Sequence, residues 1–429
     1  MNDFDLLVRS EQDIGISEGK IVALGKHLSG STKSELDARD LTIFPGVIDS
    51  HVHFNEPGRT DWEGFATGSR AAVAGGTTTV FDMPLNSHPP TIDGAAFDLK
   101  RAAAEKDSLV DFGLWGGLVP GNLNQLETLR DRGVVGIKAF MCESGIDDFP
   151  AVDTTTLRAG MKHAAALDLL VAVHAEADEL IRHEPNKGTV RDYLNSRPIE
   201  VELAAIRTAI ELAHETNCRL HIVHVSSGGG VAVVAEARAQ GVDVTCETCP
   251  HYLLLTDEDM GRLGAVAKCA PPLRSPHDQA GLWDRVDDIS TIGSDHSPSP
   301  WQIKERTNFL EVWGGISGCQ HLLQLLLENE KLSQADLIRL TSTAVAKRFR
   351  IEQKGAIEVG KDADLTLVDL RANETVTAKS LHYRHRHSPY VGRRLRGRIL
   401  RTLLRGQTIF EDGRFLERPT GRFVRPRHS

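Results

Sequence analysis

Two histidines one residue apart, His51 and His53 in HVHFNEPG, open a series of metal-ligand types spread along the chain. Lys138 in GIKAFM, His174 in LLVAVHAE, His224 in RLHIVHVSS and Asp295 in STIGSDHSP continue it. Each of these residues closes an apolar run. Side chains at i and i+2 of a strand point the same way, so His51 and His53 can face one point. Taken alone, the pair reads equally as two exposed loop histidines. Imidazoles and a carboxylate suit zinc or another borderline divalent cation. Five such side chains exceed what one catalytic zinc takes, so two metals fit better, and two metals need a bridge. Lys138 by itself reads as a salt-bridged lysine, because an ammonium cannot ligate a cation. A neutral amine that adds CO2 becomes a carbamate with two ligand oxygens, and burial favours the neutral amine. His221, three residues before His224, faces the other side of the strand and is expected to be packed or hydrogen-bonded. His163 and His214 are expected mid-helix on the surface, and His296 behind the site or at a gate.

Such side chains need a frame. The first ~45 residues read as short strands with glycine turns (FDLLVRS, IGISEGKIVALG, LTIFPG), and the same texture returns in GAIEVGKDADLTLVDL and RGRILRTLLRGQTIFEDGRFL. The two ends are therefore expected to build one small β-unit. Between them, apolar runs such as TTTVFDMP, VVGIKAFM and LLVAVHAEA alternate with helical stretches such as IEVELAAIRTAIELAHETN. Repeated strand–helix units imply a parallel sheet with helices outside. Roughly eight units over about 300 residues suit a (β/α)8 barrel, whose sites lie at the C-terminal strand ends. A doubly wound sheet, the fold alternative, would want a glycine-rich phosphate loop after its first strand, and HVHFNEPG is not one. The expected division is residues 1–45, first part of the β-sandwich; 46–350, metal-dependent barrel; 351–429, remainder of the sandwich and tail.

The 429 residues carry a net charge of −9, with 40% hydrophobic and 25% charged residues. A general nucleic-acid binder would be basic, so none is expected as partner. The six arginines of RRLRGRILRTLLRG alternate with leucine and isoleucine, as on a solvated strand face. Cys246 and Cys249 form one CxxC without the second pair a zinc ribbon needs, leaving structural thiols or redox use. No signal peptide and no transmembrane segment is expected, and the reducing cytoplasm is the default compartment.

His51-x-His53, Lys138, His174, His224 and Asp295, in that order on a barrel, resemble the cyclic amidohydrolases of the amidohydrolase superfamily: dihydroorotases, hydantoinases (dihydropyrimidinases) and allantoinases. Within the group, HVHFNEPGRTDWEGF, DMPLNSHPPT, KAFMCESG, TCETCPHYL, SDHSP, WGGISG and LHYRHRHSPYVG look like the allantoinases. The resemblance implies one metal on His51, His53 and Asp295, a second on His174 and His224, and a carbamylated Lys138 between them. It implies two divalent ions, zinc first, with manganese, cobalt or iron possible in the same set. It also implies a homo-oligomer, commonly a tetramer, and a place in allantoin (purine) degradation. Dihydroorotases place an arginine where Asn55 stands, to pair with a substrate carboxylate, so Asn55 implies a neutral ring such as allantoin. A hydroxide bridging the metals would attack the ring carbonyl, with Asp295 moving its proton to the leaving nitrogen. Asn86 and Ser297 are further substrate-contact candidates, with loop capping as the plainer role. Ala270, where many relatives carry serine, and Trp301, where they often carry proline, depart from the pattern. A hydantoinase of broad ring tolerance is the rival reading. A non-catalytic scaffold is a remote one, because such proteins lose metal ligands and all six positions are filled here.

Overall fold

The computed structural model describes residues 11–182, 187–415 and 420–427. β1 (Asp13–Ser17) and β2 (Lys20–Gly25) form an antiparallel hairpin; the FDLLVRS stretch lies outside the described residues. The apolar run behind His51 is two strands, not one: β3 (Thr42–Pro45) and β4 (Val47–Val52), which belong to different sheets. Gly46 makes the switch. A Cβ there would lie 2.2 Å from Thr78 Oγ1, so only glycine lets the chain cross this close to the next strand.

β4 opens a parallel barrel. It continues through β5 (Thr77–Asp82), β6 (Asp111–Leu114), β7 (Gly116–Gly117), β8 (Ile137–Phe140), β9 (Leu170–His174), β10 (Arg219–Ile222), β11 (Val244–Thr248) and β12 (Thr291–Ile292). The ladders run β4-β5-β6 and β7-β8-β9-β10-β11-β12. β6 and β7 are two halves of one strand interrupted at Trp115, so three strands and six make eight barrel positions. The ring closes where His53 N donates to His296 O at 2.8 Å, beside a parallel bridge from Val52 to His296. Barrel strands are covered on both faces, which is why they read as apolar runs.

The helices form the outer layer. Helix Ile199–Thr216 buries Val201, Ala205, Ile206, Ala209, Leu212 and Ala213, one stripe at helical spacing, and stops at Asn217 in the left-handed region. Helices Gly94–Asp107, Thr154–Ala166 and Gly228–Ala239 start on Asp93, Asp153 and Ser227, whose side chains accept from the first-turn amides. His163 and His214 occupy the last turns of their helices, where the macrodipole favours a basic residue, rather than mid-helix positions. His214 is exposed and His163 half-buried.

Both ends of the chain share one antiparallel sheet. β3 pairs with β13 (Leu365–Thr375), which pairs with β14 (Arg394–Leu404), then β15 (Gln407–Glu411) and β16 (Arg414–Phe415). Along β14, Arg394, Arg396 and Arg398 face solvent while Leu395 and Ile399 are buried, the solvated face that alternation implied. One buried cation fastens this unit to the barrel. Lys354 Nζ reaches Asp111 of β6 at 2.8 Å, Asp364 at 2.5 Å and Asp362 at 3.3 Å. Truncating it would leave buried carboxylates facing one another. Lys354→Ala is expected to lower the unfolding free energy by about 3–5 kcal/mol in urea melts, while spectra of the folded protein stay unchanged.

The LHYRHRHSPYVG stretch runs over the mouth of the barrel. Arg384 N donates to Glu63 Oε1 at 3.0 Å, His387 Nε2 pairs with Ser299 O at 2.9 Å, and Ser388 Oγ donates to Ser317 O at 2.7 Å. The C-terminal unit thereby holds the loops that follow the first and last barrel strands.

Candidate metal centre

The six ligand candidates come from five strand ends: His51 and His53 at β4, Lys138 in β8, His174 closing β9, His224 just past β10, and Asp295 past β12. Five of the six are buried, and Asp295 is partly exposed, its side chain at 13%. His51 Nε2 lies 3.2 Å from Asp295 Oδ1 and His53 Nε2 3.5 Å from the same oxygen. His174 Nδ1 and His224 Nε2 stand 3.0 Å apart. The two groups are neighbours, with the His51 and His224 rings 5.5 Å between centroids. The sequence-derived ligand candidates thus converge as two neighbouring sets.

Lys138 lies among them. It is fully buried, its Nζ has no hydrogen-bond partner among the described residues, and it sits 4.5 Å from the centre of the Phe140 ring. Phe140 in turn stacks on His174 at 4.6 Å. Burial pulls the Lys138 amine from the ordinary lysine range down to about 7, against the upward pull of Asp295 and Glu247. Burial also lowers His53, His174 and, most strongly, His224, so these rings favour the neutral form a ligand needs. Burial works the other way on Asp295, but His51 and His53 outweigh it and hold that carboxyl at about 2.

The backbone takes left-handed conformations at two of the ligand candidates and at two of the substrate candidates. His224 has φ 41° and Asp295 φ 45°, with Asn55 at 64° and Asn86 at 68°. Non-glycine residues visit this region at a cost, and asparagine, aspartate and histidine do so more readily than most. Gly293, two residues before Asp295, has no room for a side chain: a Cβ would lie 2.7 Å from Glu247 Oε2 and 3.0 Å from the His51 Cβ.

The substrate candidates divide. Asn55 is fully buried; its Nδ2 donates to Pro298 O at 3.3 Å, and its Oδ1 has no partner among the described residues. Ser297 is buried and its amide donates to Ile316 O at 2.9 Å. Asn86 instead turns its amide onto His53 Nδ1 at 3.2 Å, behind a ligand candidate. His221 is packed, with Nδ1 on Thr245 Oγ1 at 2.8 Å. His296 lies behind the site, its Nδ1 accepting from Gly318 N at 3.1 Å and its Nε2 3.6 Å from Glu63.

Sequence reasoning missed two buried carboxylates. Glu247 Oε1 meets His51 Nδ1 at 2.8 Å while its Oε2 accepts from Ser50 Oγ at 2.7 Å. Glu176 Oε2 meets His174 Nε2 at 2.8 Å and accepts from Arg197 Nη1 at 2.6 Å. Burial would raise both carboxyls; His51 and His221 pull Glu247 well below the usual range, and Arg197 and His174 hold Glu176 at about 2. A signal existed. Glu176 is two residues past His174, and Glu247 sits inside an apolar strand, where a lone charge needs a partner. Cys246 and Cys249 are free and buried, as are the other four cysteines. Cys249 and His251 bring donor atoms within 4.8 Å of Asp295, and Cys142 with Glu176 does so around His174, so both sets extend the same cluster.

The chain matches the amidohydrolase family over residues 42–409. It belongs to the amidohydrolase family. Members of this family resemble it over their full length. The allantoinase of Rubrobacter xylanophilus is 53% identical, with 100% of this chain and 99% of that protein covered. The allantoinase of Deinococcus radiodurans is 47% identical over 97% of this chain and 95% of its own. Among solved amidohydrolase structures, the L-hydantoinase (dihydropyrimidinase) from Arthrobacter aurescens superposes with a TM-score of 0.94 at 34% identity, covering 97% of this chain and 96% of that one. As an amidohydrolase the protein is a hydrolase, and its buried histidines and Asp295 suit a divalent metal. No helix among the described residues is long and apolar enough to cross a membrane.

Proposed function

We propose that this protein is an allantoinase, opening the hydantoin ring of allantoin to allantoate with two divalent ions bridged by a carbamate on Lys138. The observation that carries the two-metal reading is the Lys138 amine, buried without a partner beside two sets of converging ligands. The donors fit that group: His51, His53 and Asp295 would hold one ion, His174 and His224 the other, and zinc is the first candidate. The bound ions would supply Lewis acidity, activating water near neutral pH and polarising the ring carbonyl. Asp295 takes the proton of the attacking water and returns it to the leaving ring nitrogen. Asn86 holds the His53 ring. Asn55 Oδ1 accepts an N–H of the ring or ureido group, and Ser297, which precedes the Pro298 that Asn55 binds, is the second polar candidate. Six free buried thiols accord with a cytoplasmic setting, and the family resemblance with a homotetramer.

Identity to allantoinases over the whole chain supports this substrate over the hydantoins, whose enzymes superpose well at lower identity. The test is steady-state turnover of the metal-loaded protein on allantoin, hydantoin, dihydrouracil and dihydroorotate. Allantoin is expected to lead by orders of magnitude; a lead for hydantoin or dihydrouracil would keep the chemistry and move the substrate. Asn55→Arg should lower kcat/KM for allantoin by roughly 100-fold, since it buries an unpaired charge and removes the amide acceptor. Unimpaired turnover of that variant would take Asn55 out of the site.

A further inference from the structure

Each half of the centre has one histidine backed by a buried carboxylate. A ring nitrogen that binds a cation must offer a lone pair, so the other nitrogen must carry the proton. Glu247 accepts at His51 Nδ1, which leaves Nε2 free to face Asp295 and His53. Glu176 accepts at His174 Nε2, which leaves Nδ1 free to face His224. The remaining rings have no carboxylate behind them: His53 Nδ1 meets the amide nitrogen of Asn86, and His224 Nδ1 has no partner among the described residues. The carboxylates are themselves pinned, Glu247 by Ser50 Oγ and Glu176 by Arg197 Nη1. Both are at most 1% exposed, so no water competes for the imidazole proton. They arrive from different strands: Glu247 lies in β11, and Glu176 follows β9.

We infer that Glu247 and Glu176 are positioning residues that divide the centre between them. Glu247 fixes the tautomer and ring angle of His51 and so governs the ion held with His53 and Asp295. Glu176 does the same for His174 and governs the ion held with His224. An ionised acceptor makes a stronger bond to the ring N–H than a neutral one and raises the donor strength of the opposite nitrogen. The inference rests on the two-metal reading proposed above.

The test is metal binding, read apart from turnover. Wild type, Glu247→Ala, Glu247→Gln, Glu176→Ala and Glu176→Gln are stripped, dialysed against zinc and bicarbonate, and assayed for ions per chain. Anomalous diffraction at the zinc edge then locates what remains. Glu247→Ala is expected to keep the ion at His174 and His224 and to bind the other ~100-fold more weakly; Glu176→Ala should do the reverse. Each glutamine variant keeps a neutral acceptor and should lose only ~10-fold at its own position. Those variants carry the test if an alanine variant does not fold. Wild-type affinity at both positions, or equal loss of both ions from both variants, would overturn the division. A wild-type protein that binds fewer than two ions would instead overturn the two-metal reading.

Discussion

Lys138→Ala is expected to turn over allantoin at least ~1000-fold more slowly than the wild type and to bind less than its full complement of metal. Losing Lewis-acid stabilisation worth several kcal/mol gives a change of that order. On the proposed reading the cause is the loss of the bridge. Alanine leaves an apolar gap beside the Phe140 ring and no oxygen between the two ligand sets. A short carboxylate such as acetate has the charge and two-oxygen geometry of the missing carbamate, so it should restore part of both metal content and rate. Unchanged stoichiometry and rate in Lys138→Ala would refute the carbamate.

The amine's environment also sets a pH dependence. Addition of CO2 needs the neutral amine, and burial brings that group to about 7. An ordinary lysine at pH 7 is neutral only about once in a few thousand. Reactivation of stripped protein by zinc at a fixed concentration of dissolved CO2 should therefore rise with pH through about 7 and level off about one unit above. The same shift has a signed effect on the metal-free fold. Between about 7 and the ordinary lysine range, the unfolded chain binds a proton that the folded chain excludes, so this group makes stability rise with pH there. Lys268 and Lys304 are also brought to about 7 by burial and act in the same direction. Comparison of urea midpoints with a Lys138→Met variant isolates the Lys138 share.

Asp295→Asn is expected to lower kcat by about 10³- to 10⁴-fold, the upper range for removing a positioned general acid–base. Asparagine is the right probe because Asp295 sits at φ 45°, a region asparagine tolerates and alanine does not share as readily. The fold around His296 and the closing bond to His53 should survive. A pure ligand role and a proton-transfer role are separable. If Asp295 moves the proton, the loss should shrink for substrates whose leaving nitrogen is more acidic, because they need less help. A uniform loss across leaving groups, accompanied by loss of the ion held with His51 and His53, would reduce Asp295 to a ligand.

Much of this centre is legible in the amino-acid sequence, because each ligand candidate closes an apolar run. Barrel strands are apolar on both faces, so a histidine, lysine or aspartate at the end of one stands out against its neighbours. Strand parity sets His221 and His224 on opposite sides, and the position of His224 nearer the strand's C-terminal end, beside Ser226 and Ser227, is what selects it. For Asn86 the fold shows a partner that neither substrate contact nor loop capping anticipated, the His53 ring at 3.2 Å. The run before His51 conceals its break, because Gly46 changes sheets without interrupting the apolar pattern.

The sequence by itself determined the order of ligand types, the strand ends that carry them, the barrel that gathers them and the shared β-unit of the two termini. Local periodicity and residue chemistry are sufficient for those. Only the tertiary structure decided which nitrogen of each imidazole faces the centre, because that depends on the carboxylate each ring meets once folded, near in sequence for His174 and remote for His51. Glu247 reaches His51 across 196 residues and Arg197 meets Glu176 from 21 away. Only the fold removes water from around Lys138, and desolvation is what turns an ordinary lysine into an amine near neutrality.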